Sequence, residues 1–480
     1  MDEPAKKRQK LVAKSTIKTE IKDLPDDLVI EILCRLPHHK YVFQCKCISK
    51  RFFSLITRPC FIHRFVTHLS SKMEKQKQPW AFIYVKFLEK LVRGPSRFLC
   101  DSPRLKTMSQ YSDEFKSRRF SLEFLPPYKD LRDDDQEPIT IIRTFNDLIL
   151  CCVEKFDRSE STYYICNPQT EQWVALPPTP PLPPETKCHE VEFICRPYYY
   201  KEQGRVIVNS HFKFKVLRFL GFFSSEKLKL QVFSSKTGRW DMFSKSVPPY
   251  DPNSIITRSL ICKKKRMIIV KCDPPNNRSF SVIFFNRGFK QRFRRVNFPG
   301  SRYCISPFHS VMHLSSQQRS LHVVQICMNI VDNQPNYGVP VLRVWKFDDR
   351  VARWELRHKV SFRNIASQDK WISNNYLKKW TFILREHEEV HFRLPITLGF
   401  HPSNDNFLYL NLNCPKPMGF YDMKNRSLNF VSETWCCPSL IGNKVYDTRW
   451  SAVSEIVLPL WPTPIPQISQ ATTQPEQTLK

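Results

Sequence analysis

Four stretches of the chain repeat one pattern, and it restricts the fold more than any other feature. "YYICNPQTEQWVAL", "LQVFSSKTGRWDMF", "VWKFDDRVARWELR" and "MGFYDMKNRSLNFV" each carry an apolar pair, a turn-forming polar residue, a short polar run and a large apolar residue six positions on. The paired positions are Asn167 and Trp173, Ser234 and Trp240, Asp348 and Trp354, Asp422 and Leu428, with a looser copy at Asn286 and Phe293. Each copy describes two strands joined by a tight turn. The copies recur roughly every 50 to 75 residues, too far apart for a solenoid repeat and far enough for a four-stranded blade with long loops. A β-propeller is the expected architecture, with a β-sandwich as the competing one. On the propeller reading Trp173, Trp240 and Trp354 pack blades and do not form a ligand cage.

The N-terminal part is of another kind. "LPDDLVIEILCRLP", Leu24 to Pro37, has a proline suited to a helix start, two early aspartates that favour the positive end of the helix dipole, and a closing proline. At about 100° per residue, Leu28, Ile32, Leu36, Val29 and Leu33 share one broad arc, which Ile30 and Cys34 extend. Only Asp27, Glu31 and Arg35 make a polar stripe. A helix apolar over so much of its girth is covered by a large domain or by a partner chain.

The expected organisation is an α+β multidomain chain. Residues 1–20 form a disordered basic tail, 21–66 a small helical unit, 67–80 a polar linker, 81–460 a mainly β domain, and 461–480 a Pro- and Gln-rich disordered tail. The helical unit should hold the opening helix, a second element "YVFQCKCISKRFFSLI", and a third that starts after Pro59. The chain's 480 residues leave ample room for a large core beside this unit.

Lys and Arg total 75 against 45 acidic residues, a net charge of +30. That excess raises nucleic acid or another acidic partner. The positive charges are spread along the chain, apart from Lys6, Lys7, Arg8 and Lys10, which read as a nuclear import signal, and "CKKKRM", which reads as a charged turn. The polar, basic start is not a secretory signal, and the sequence has no apolar run long enough to span a bilayer. The 17 cysteines are therefore expected to be reduced. Cys151 and Cys152 should act as small strand hydrophobes, and Cys45 and Cys47 as core cysteines.

"LPDDLVIEILCRLPHHKYVFQCKCISKRFFSLI" resembles the F-box, through Leu24-Pro25, the helix through Ile32, Leu36-Pro37, and the Cys47 to Arg51 run leading to Leu55-Ile56. The later "YYICNPQTEQWVALPP", "LKLQVFSSKTGRW", "LGFHPSNDNFLYL" and "EIVLPLWPTPIP" are similar to the F-box-associated, kelch-like domain of plant F-box proteins. Phe52 stands where a Trp is usual, and "HHKYVFQ" replaces a more aliphatic stretch. With only 10 glycines, the chain lacks the double-glycine signature of true kelch repeats. The resemblance implies the substrate-recognition subunit of an SCF-type (cullin-RING) ubiquitin ligase. Leu24, Pro25, Leu28, Ile32, Leu36, Pro37 and Ile48 would face a Skp-type adaptor, and through it cullin, while the β domain holds a target protein. It implies a non-catalytic chain without cofactors, in nucleus and cytoplasm. The competing reading is a basic nuclear protein whose propeller binds nucleic acid.

"HEEVH", His387 to His391, fits the zinc-hydrolase pattern H-E-x-x-H. Its flanks are aromatic and β-branched with Pro395 close behind, and in a strand the glutamate would point away from the two histidines. No metal is expected there. The sequence holds neither a phosphate-cradling Gly-rich loop nor a G-x-S-x-G elbow.

Overall fold

The computed structural model describes residues 21–72, 80–84, 87–90, 97–100, 106–108, 121–129, 139–154, 161–182, 188–203, 205–209, 211–220, 227–246, 255–262, 266–272, 280–286, 294–297, 310–314, 321–330, 338–348, 353–368, 370, 396–401, 404–411, 418–430, 453–466 and 468. Two units emerge. One holds residues 1–76 with 199–210, and the other holds the remainder.

In the larger unit, every copy of the repeated pattern falls on the last hairpin of a four-stranded antiparallel sheet. The first sheet is Ile139–Phe145, Leu148–Glu154, Ser161–Asn167 and Gln172–Ala175; the second is Cys188–Cys195, Phe214–Leu220, Lys227–Ser234 and Arg239–Ser246. The third is Ile255–Cys262, Arg266–Cys272, Phe280–Asn286 and Arg294–Asn297, and the fourth Ser310–Leu314, Leu321–Ile330, Gly338–Asp348 and Arg353–Ser361. The fifth is Ile396–His401, Asn404–Asn411, Met418–Asp422 and Ser427–Phe430. A further sheet among the described residues joins both ends of the unit: Val453–Val457 pairs with Trp80–Tyr84, which pairs with Lys106–Met108. The leading strands adjoin in the order Val453–Val457, Ile139–Phe145, Cys188–Cys195, Ile255–Cys262, Ser310–Leu314, Ile396–His401, the radial succession of a β-propeller.

The six-residue spacing has a register explanation. It sets Trp173 opposite Cys166, Trp240 opposite Phe233, Trp354 opposite Phe347 and Leu428 opposite Tyr421, one residue before the turn former each time. Turn chemistry fixes that register locally: Asp422 Oδ1 accepts from the amides of Lys424 and Asn425, and Asn167 Oδ1 from that of Gln169. Phe347 and Trp354 lie edge to face at 5.1 Å, and Trp354 is buried. Trp240 is half-buried, and its indole N–H donates to the carbonyl of Pro177, tying its sheet to the proline-rich connection behind it. Trp173 departs from the expectation: it is 39% exposed, edge-on to Tyr164. At the looser copy, Phe293 lies outside the described residues.

Among the described residues, apolar side chains fill two of the gaps between sheets. One cluster joins the fourth and fifth sheets through Val324, Leu342, Val344, Leu408, Leu410 and Tyr421. Another joins the first sheet to Leu122, Leu125, Ile456 and Leu458. Cys151 and Cys152 are buried strand residues, as expected.

The segment expected to be a free tail from Trp461 is anchored instead. Trp461 and Thr463 are each 3% exposed. Asp147, in the first turn of the first sheet, accepts from the Thr463 amide at 2.8 Å and from Asn167 Nδ2 at 2.8 Å, and Asn167 also donates to the Thr463 carbonyl at 2.7 Å. A Pro-rich composition argued for freedom, but prolines fix φ and leave few donors to satisfy, so two hydrogen bonds and a buried Trp suffice to seat the segment.

The smaller unit contains α1 (Asp26–Cys34), α2 (His39–Lys46), α3 (Lys50–Thr57) and α4 (Pro59–Lys72), together with the hairpin Tyr199–Glu202/Arg205–Val208. The second expected element is two helices, because Ser49 caps α3: its side chain accepts from the Phe52 amide at 3.1 Å, which favours a fresh start over continuation. α4 begins at Pro59 as expected and continues to Lys72, beyond the boundary at residue 66.

Candidate functional site

α1 is apolar on two sides, and its neighbours divide them. Val29, Ile30, Leu33 and Cys34 face inward and are buried. Leu28 and Ile32, one turn apart, are 52% and 53% exposed, and Leu36 continues their row half-buried. Ile48, in the break between α2 and α3, is 67% exposed. Pro25 and Pro37 are exposed at the two ends of the helix, and Leu24 is half-buried beside Pro25. Six large apolar side chains are exposed among the described residues of the helical part, 21–72: Ile21, Leu28, Ile32, Tyr41, Ile48 and Phe53. Sequence reasoning singled out three of these; Ile21, Tyr41 and Phe53 are additions. Such a density of wet apolar groups in so short a stretch marks an interaction surface.

Arg51 holds the start of α1 in place. Its guanidinium bonds Asp26 Oδ1 through Nε at 2.9 Å and Nη2 at 2.8 Å, and donates to the backbone carbonyls of Lys22, at 2.8 Å, and Leu24. One side chain from α3 thus fixes the Leu24-Pro25 corner, which a lysine could not do with a single ammonium. The sequence reading included Arg51 in its matching run but gave it no role; the signal was an Arg two residues after the Ser49 cap, with acid at the head of α1.

Glu31, on the polar stripe, pairs with Arg35 at 3.0 Å and with Arg64 of α4 at 3.3 Å. Exposed pairs like these contribute little stability but orient α1 against α4. His38 caps α2 by accepting from the Lys40 amide, and His39 is buried edge-on to Phe43. Lys46 lies 4.4 Å from the Phe43 ring centroid, and burial lowers its pKa. Burial also pushes the Cys34 thiol up to about 11, leaving it an inert core group. Cys45 and Cys47 were expected in the core; Cys45 is half-buried and Cys47 exposed, because the α2–α3 break turns the Cys47–Ile48 segment outward.

Among the described residues no group of His, Cys, Asp or Glu is placed to hold a metal, and no helix is long and apolar enough to cross a membrane. Lys6, Lys7, Arg8 and Lys10, His387 to His391, Lys263 to Lys265, and Cys436 with Cys437 lie outside the described residues.

The F-box domain profile matches residues 21–64, the stretch that folds as α1 to α4. The profile described as "F-box protein At3g26010-like, beta-propeller" matches residues 123–437, more than half of the chain. The chain belongs to this F-box β-propeller family. The Arabidopsis thaliana F-box protein At5g07610 is 24% identical over 379 residues, 71% of each chain. F-box protein At5g65850 of the same plant is 30% identical over 154 residues, a match that spans 32% of its length and 32% of this chain. In F-box terms, the exposed row of α1 and Ile48 belong to the module the profile matches, and Arg51 fixes its opening corner.

Proposed function

We propose that this F-box protein is the substrate-recognition subunit of an SCF-type ubiquitin ligase, with Leu24, Pro25, Leu28, Ile32, Leu36, Pro37 and Ile48 docking a Skp-type adaptor. One observation carries this reading: Leu28, Ile32 and Ile48 stay about half exposed or more, while Val29, Ile30, Leu33, Leu55 and Ile56 of the same helices are buried. Covering them with another protein's helices supplies the burial that a unit of this size lacks. The propeller then serves as the F-box-associated, kelch-like interaction domain that holds a target protein. Tethering raises the target's effective concentration near the ubiquitin-carrying enzyme, so the chain itself needs no catalytic group or cofactor. Its working compartments are nucleus and cytoplasm, with Lys6 to Lys10 as the import signal.

The test is capture of the full chain by a purified Skp-type adaptor. Wild-type chain should bind, and Leu24→Ala with Pro25→Ala should abolish binding while leaving the propeller folded. A wild-type chain that ignores the adaptor at micromolar concentration would overturn the reading.

A further inference from the structure

The strands Cys188–Cys195 and Phe214–Leu220 of the second propeller sheet pair directly, from Phe214 opposite Cys195 onward. A tight turn would join them, yet the chain between them makes an excursion through residues 196–213. The rings of Tyr198 and Phe212, 5.6 Å apart and both buried, close its base. Beyond that base the chain forms the hairpin Tyr199–Glu202/Arg205–Val208 and groups with the F-box helices.

We propose that this hairpin, with Val206 as its anchor, is a working part of the adaptor-docking module and not a decoration of the propeller. Strand Arg205–Val208 packs along α4. Val206 is 4% exposed, although Arg205 beside it and Lys201 opposite it are exposed. A two-stranded hairpin has no core of its own, so Val206 is buried by what it packs against. α4 in turn buries Phe61, Ile62, Phe65, Val66 and Leu69, a broad arc shared among α1, α3 and the hairpin strand. α4 also packs on α1 and reaches it through the Arg64–Glu31 pair. Support therefore runs from Val206 through α4 to the inner face of α1, whose outer row carries Leu28 and Ile32. Four short helices are marginal as a free-standing domain; a borrowed hairpin enlarges their core. The adaptor half of this inference rests on the proposed docking function, whereas the structural half does not.

The test uses the full chain and measures hydrogen exchange of backbone amides with no adaptor present. In Val206→Asp, protection of α4 should fall about tenfold or more, with a smaller fall in α1, while strand Ser161–Asn167 of the propeller keeps its protection. Val206→Ala should give the same pattern in milder form, and Tyr200→Asp, on an exposed side chain of the same hairpin, should leave α4 unchanged. Adaptor capture should weaken in the order of α4 exchange. Unchanged α4 exchange in both Val206 variants overturns the proposal, and so does a loss of protection spread evenly over propeller and helices in Val206→Ala. If α4 loosens as expected but wild-type chain never binds adaptor, the hairpin's role stands and the docking function fails.

Discussion

The two faces of α1 predict opposite consequences for substitutions one to five residues apart. Leu28 and Ile32 are 52% and 53% exposed, so each keeps about 70–90 Å² of apolar surface that a partner can cover, worth about 2 kcal/mol at ~25 cal/mol per Å². Truncation to Ala forfeits most of it, about 1–1.5 kcal/mol each. Leu28→Ala with Ile32→Ala should then weaken adaptor binding by about 2–3 kcal/mol, a 30- to 150-fold rise in Kd. The same pair should change the stability of the free chain by less than about 0.5 kcal/mol, since neither residue is packed. Leu33→Ala should do the reverse. Leu33 is 4% exposed, and its truncation leaves a cavity costing about 2–5 kcal/mol of helical stability. Calorimetric titration with purified adaptor reads the first quantity, and amide exchange of α1 and α4 in the free chain reads the second. Unchanged affinity in the Leu28/Ile32 pair would falsify the docking surface. So would a stability loss in that pair equal to that of Leu33→Ala, since the outer row would then be core.

Three further outcomes follow from particular contacts. Arg51→Ala removes the bonds to Asp26 and to the Lys22 and Leu24 carbonyls, which are partly exposed, so it should cost about 1–2 kcal/mol in the helical unit and speed amide exchange at the start of α1. Burial raises the folded pKa of Asp147 from 3.8 to about 6, so the protonated carboxyl is favoured in the fold, and its contribution to stability declines as pH rises from about 4 through 6. Denaturant titrations across that range should show the decline, and Asp147→Asn should flatten it. Truncation after Leu460 removes the buried Trp461 and Thr463; it should cost about 3–5 kcal/mol and lower the melting temperature of the propeller, as scanning calorimetry would show.

What the sequence displayed depended on how far apart the cooperating residues lie. The propeller hairpins were legible because their determinants are local: Asp422 and Asn167 satisfy amides two or three residues on, and the six-residue spacing follows from that turn geometry. The α2–α3 break was equally local, yet the apolar run through "CKCISKRFF" hid it, since periodicity outweighed the one capping serine at Ser49. α1 could be recognised as a helix needing cover on many sides, but no helical wheel could divide Leu28 and Ile32 from Val29 and Leu33, because all are aliphatic and only the positions of α3 and α4 decide which stay wet. Arg51 reaches back 25 to 29 residues, and Asp147 meets Thr463 across 316. Such pairs leave no periodic trace; they arise where a fold brings together chain segments that local rules treat as independent. The same limit hid the role of residues 199–208, which fall inside the stretch 81–460 that the sequence assigns as a whole to the β domain. Their departure from the propeller is visible only once Cys195 and Phe214 are seen to pair without them. In this family, then, the length of connection between the first and second strands of the second sheet is where a sequence could announce a brace for the F-box. A relative with a short turn there should carry a less apolar α4, because part of the arc that the hairpin strand helps to cover would face water.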